Sequence, residues 1–165
     1  MKKFIILISL ILTTSSAFAY DNDSWTLKTF EDSMDGTVTK ELRVGGITNK
    51  TLAFPYTDPT VFLTYGCTNE KFALYTTANN LSGGNNHDGY TTHNIRIKID
   101  DKLWNGWLDQ MWGSNWFYIK NSRHNRDIKS SNKVLIETSL YGAGDVVYIF
   151  NTKGISEFIS NCKDK

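Results

Sequence analysis

Few residues in this chain have the types and spacing that catalysis requires. Asp32 and Asp35 come nearest to a carboxylate pair for acid–base work. Such a pair needs a defined separation and one carboxyl with a raised pKa. Asp35-Gly36 reads better as turn chemistry, with Asp32 capping the turn. His87, Asp88 and His93 form the one His/Asp group. A metal site needs three or four converging ligands, and the Gly- and Asn-rich surroundings suggest a solvated loop tip instead. His124 lies among Arg123, Arg126 and Asp127, the pattern of a charged helix surface. Ser114, Ser139 and Ser156 lack a nucleophile-elbow context. Gly45-Gly46 and Gly83-Gly84 lack the strand–loop–helix setting of a phosphate loop. The residues nominate no catalytic group, no metal ligand and no cofactor.

The aromatic residues are more informative. Trp104, Trp107, Trp112, Trp116, Phe117 and Tyr118 fall within fifteen residues, and Trp25 is the one tryptophan elsewhere. Core packing must take two or three of them. In an extended strand Trp112 and Trp116 share a face and Phe117 takes the other, so both faces carry large rings. Trp104-Asn105-Gly106-Trp107 reads as a turn holding two indoles near a tip. Exposed tryptophans beside Asn and Gly suit contact with a protein or a sugar. Trp104, Trp107, Trp112 and Trp116 are therefore the candidate partner-binding residues.

The elements that must position these side chains begin after an address label. Met1-Lys2-Lys3, the apolar run Phe4 to Leu12 and the small-x-small site Ala17-Phe18-Ala19 have the layout of a secretory signal peptide. Its apolar run is about nine residues, too short for a permanent span. Cleavage after Ala19 removes nineteen of 165 residues and leaves 146, starting at Tyr20. The leader holds two lysines and no acid, so a net charge of +1 becomes −1. That balance argues against nucleic acid as a partner. No later segment is apolar enough to serve as a stable membrane anchor. Residues 20–165 are expected to form a single β-rich domain.

Cys67 and Cys162 are an even pair in an oxidising compartment, which predicts one disulfide. It closes a loop of about 95 residues, worth on the order of 4–5 kcal/mol by chain entropy. The mature chain reads mainly as short strands. Strands are expected over Trp25–Phe30 and Thr37–Val44 around the Asp35-Gly36 turn, then a loop from Gly45 to Thr57. Thr60–Tyr65 and Lys71–Thr77 form a second hairpin. Ala78–Tyr90 is expected to be a mobile surface loop. His93–Asp100 alternates Ile95, Ile97 and Ile99 against polar residues, the best strand signal in the chain. Strands follow over Lys102–Asp109 and Trp112–Lys120, and then a short polar helix over Arg123–Ser131. Lys133–Leu140 and Val146–Asn151 form the last hairpin. Ile155, Phe158 and Ile159 recur at helical spacing before Cys162. The expected fold is mainly β: an antiparallel sandwich or partial barrel with a C-terminal helix and one disulfide.

The order of these pieces resembles the type VI secretion-associated VasI/TagO-like exported proteins. The matching residues are Trp25, Asp32 to Thr37, Leu63-Thr64-Tyr65-Gly66-Cys67, Leu74-Tyr75 and Asn94 to Asp100. Trp112-Gly113-Ser114-Asn115, Phe117, Tyr141-Gly142, Val147 to Phe150, Lys153 to Glu157 and Cys162 complete the series. Ala78–Tyr90 and Trp104–Gln110 fall outside the pattern. The resemblance implies a small non-enzymatic accessory protein in the periplasm of a Gram-negative bacterium. Its expected partner is a periplasmic or cell-envelope protein, or cell-wall glycan. Two other functions compete with it. One is an immunity or phage-type exclusion protein that inhibits a periplasmic partner; the other is a cell-wall hydrolase.

Overall fold

A computed structural model describes residues 24–163. The expected leader and the expected N-terminus at Tyr20 lie outside the described residues. Ten strands and two helices run in the order β1 (Thr26–Glu31), β2 (Val38–Thr48), β3 (Val61–Gly66), β4 (Phe72–Thr76), β5 (Gly84–His87), β6 (Tyr90–Ile99), β7 (Lys102–Met111), β8 (Trp116–Ile119), α1 (Ser122–Ile128), β9 (Lys133–Leu140), β10 (Gly144–Asn151) and α2 (Ile155–Lys163). All pairings are antiparallel. The order β2-β10-β9-β6-β7-β8-β4-β3 closes through a β2–β3 pairing into an eight-stranded barrel. β1 and β5 stay outside the ring, attached only to β2 and β6.

Period-two alternation fills the barrel. Leu63, Tyr65, Phe72, Leu74, Ile97, Leu108, Phe117, Ile136, Tyr148 and Phe150 point inward and are fully buried. Eight strands give an interior that side chains alone can fill. One end is covered by α1, α2, Trp25 and the Cys67–Cys162 disulfide, whose Cα atoms are 5.5 Å apart. The α1 N-terminus is capped by Asn121, whose Oδ1 accepts from the Arg123 N–H at 2.8 Å. Asn125 then ties this helix to two strands. Its Oδ1 accepts from the Phe72 N–H at 2.6 Å, and its Nδ2 donates to the Ile119 carbonyl at 2.8 Å. Leu52, Tyr56, Ala78 and Leu81 close the opposite end.

Three local expectations need correction. Gly45-Gly46 does not break β2. A Cβ on Gly46 would meet the Phe150 ring at 2.3 Å, so glycine here admits the ring of the paired strand. Ala78–Tyr90 is not simply a loop, because Gly84–His87 pairs with Tyr90–His93. Trp112 does not belong to β8. Residues 112–115 turn the chain, with Gly113 at a φ of 75°, so Trp112 and Trp116 share no strand parity.

Candidate partner-binding surface

The residues that alternate with the core lie on the outer wall, and there the register brings rings together. Phe62 on β3 opposes Tyr75 on β4, which opposes Trp116 on β8. Ring centroids are 6.0 Å apart in the first pair and 5.0 Å in the second, where the planes meet at 64°. Arg43 on β2 holds the band in place. Its guanidinium carbon lies 5.2 Å from the Phe30 ring centroid and 5.6 Å from those of Phe62 and Trp116. Glu41, two residues earlier on the same face, forms an ion pair with it. Phe30 and Tyr118, 45% and 39% exposed, extend the band at either side.

A groove of about 220 Å³ runs beside this band, between Phe30 and the pair Trp116 and Tyr118. A second hollow of about 420 Å³ lies elsewhere on the wall, where Trp107 stands with Asn94, Asn105 and the Arg96–Glu137 pair. That ion pair is bidentate, at 2.7 and 2.5 Å.

The four candidate tryptophans are thus dispersed. Trp104 and Trp107 belong to β7 rather than to a turn, and a spacing of three puts them on opposite faces. Trp104 packs against the core under Arg123, whose guanidinium carbon is 4.2 Å from the ring. Trp107 is 48% exposed on the wall, and Trp112 is 60% exposed in its turn. Trp116 sits half-buried in the aromatic band. The chain matches no family model, no curated protein and no solved structure.

The candidate acids and histidines also find places. Asp32 and Asp35 accept from the Met34 and Thr37 N–H groups at 2.7 Å, the turn role expected of them. His87 is exposed on β5, with Nε2 3.0 Å from the Thr92 hydroxyl. That hydroxyl donates to Asp109 at 2.5 Å, and Asp109 pairs with Lys120 at 3.2 Å. His93 is not at a solvated tip. It is 3% exposed and lies inside the barrel, with Nε2 3.1 Å from Gln110 Oε1. His124 is not on a helix surface either. It is 2% exposed against Trp104 and Gly106, and burial holds its pKa below the ordinary value, with Arg123 adding to the effect and Asp127 opposing it. Among the described residues no three His, Cys, Asp or Glu side chains gather where a metal could sit.

Sequence reasoning missed Phe30, Arg43, Phe62, Tyr75 and Tyr118. A signal existed: Phe62 and Arg43 both alternate with apolar residues that are fixed inward.

Proposed function

We propose that this chain is an exported, non-enzymatic binding protein that engages a cell-envelope partner through the outer aromatic band. The observation that carries this reading is the set of rings gathered around Arg43 on the outside of a filled barrel. Rings held at a surface keep apolar area in water that a partner can cover. The Cys67–Cys162 bond supports export, because such bonds persist in oxidising compartments. Asp32 and Asp35 each put Oδ1 into their own turn, which favours a turn role over acid–base catalysis. Together with the sequence pattern, this supports a periplasmic accessory role of the VasI-like type.

Native pull-down from periplasm tests the reading. A partner retained by the wild type is expected to be lost with the double variant Phe30→Ala/Tyr118→Ala and kept with Trp107→Ala, which lies elsewhere on the wall. Unchanged recovery with the double variant would reject the aromatic band as the contact surface. Turnover of peptidoglycan by the purified chain would reject the non-enzymatic role. A toxin gene directly beside this one would replace the accessory role with that of an immunity protein.

A further inference from the structure

The groove beside the aromatic band combines three features. Its floor is Thr64, Gly66 and Ala73, small residues on the outer face of β3 and β4. Thr64 and Ala73 are already covered, 2% and 4% exposed, so the opening onto the sheet is at Gly66. Taller side chains stand on both sides, Phe30 from β1 and Trp116 with Tyr118 from β8. The register runs Arg43, Thr64, Ala73, Tyr118 across successive strands. At roughly 4.8 Å per strand, β2 and β8 are about 14 Å apart. The β3–β4 turn closes a third side with Thr68, Asn69 and Lys71.

The rim is polar and carries positive charge. Thr39 and Thr68 offer hydroxyls, and Asn69 offers an amide. Glu41 neutralises Arg43, and Lys129 pairs with Glu70 behind the turn. Lys40, Glu41 and Lys71 are groove residues, but alternation puts the Lys40 side chain on the face of Leu42 and Val44, so the cation at the rim is Lys71, which joins no ion pair among the described residues.

We propose that this groove binds a short acidic saccharide. The ring faces pack on Phe30 and Tyr118, the hydroxyl or acetamido groups meet Thr39, Thr68 and Asn69, and a carboxylate meets Lys71. An apolar ligand would strand the polar rim. A nucleic acid would need more cations than one. The small volume suits a short glycan segment better than a folded protein. This inference rests on the envelope-binding reading for its compartment alone.

The test uses the full mature chain in calorimetric titrations. One probe is the N-acetylglucosamine–N-acetylmuramic acid disaccharide, which carries a carboxylate. The other is the neutral N-acetylglucosamine dimer. The acidic sugar is expected to bind about tenfold tighter than the neutral one, the scale of one charged contact. Phe30→Ala and Tyr118→Ala are each expected to weaken it about tenfold, the scale of a stacking contact. Both side chains are about half exposed, so thermal melts should fall by only a few degrees. Lys71→Ala is expected to narrow the gap between the two sugars. No saturable binding of either sugar, equal affinity for both, or indifference to these substitutions would overturn the proposal. If pull-down still recovers a protein partner while both sugars fail, the groove proposal falls alone. If the chain cleaves peptidoglycan, the non-enzymatic reading falls and the groove stands as a subsite.

Discussion

Trp104 and Trp107 are three residues apart and have opposite assignments. Trp104 packs inward under Arg123, so Trp104→Ala leaves a void and should cost about 2–3 kcal/mol in denaturant unfolding. Trp107 faces water, so Trp107→Ala should stay within about 0.5 kcal/mol. Comparable losses would contradict these placements. His124 has a pH consequence. Burial depresses its folded pKa, so the unfolded chain binds the proton first. Its contribution is complete above the ordinary value of 6.5 and is lost as pH falls from there through the folded value. Melts at pH 7.5 and 5 should show a loss that shrinks in His124→Gln. The burial of His93 was legible in the sequence, because it shares parity with Ile95, Ile97 and Ile99. That of His124 was not, since a helix of seven residues gives little periodicity.

At the scale of elements, α1 is held by one amide more than by its own propensity. Asn125→Ala leaves the Phe72 N–H and the Ile119 carbonyl without side-chain partners. We expect a cost of roughly 2–4 kcal/mol in chemical unfolding, because buried polar groups are expensive to leave unpaired. A change under about 0.5 kcal/mol would mean that water replaces the amide. The sequence displayed β6 through clean alternation of isoleucines with polar residues, and β9 and β10 through the apolar runs Val134 to Ile136 and Val146 to Phe150. It hid β5, where Gly-Asn-Asn-His has little strand preference and order comes from the paired Tyr90–His93 segment. It also hid the end of β2, where Gly46 acts as a socket for Phe150 rather than as a breaker.

At the scale of the molecule, strand count and turn spacing predicted a mainly β fold, and alternation predicted the inner face of β6. Barrel closure was not legible. It depends on the β2–β10, β6–β9 and β4–β8 pairings, which join segments far apart in the chain. The aromatic band was hidden for the same reason, since Phe30, Arg43, Phe62, Tyr75 and Trp116 come from five strands. The disulfide was predicted correctly, and its removal is informative. Cys67→Ser/Cys162→Ser should lose on the order of 4–5 kcal/mol if chain entropy dominates. A loss near zero would mean that the reduced chain is already restrained. Cys67 also stands between Gly66 and Thr68, two residues of the groove, and its N–H donates to the Lys40 carbonyl at 3.0 Å. The bond that fastens the C-terminal helix is therefore also a rivet in the rim of the groove. A copy of the chain kept in a reducing cytosol would have the rings but not the rivet. On the export proposed above, recognition would be withheld until the chain has crossed the membrane, with oxidation arming the site.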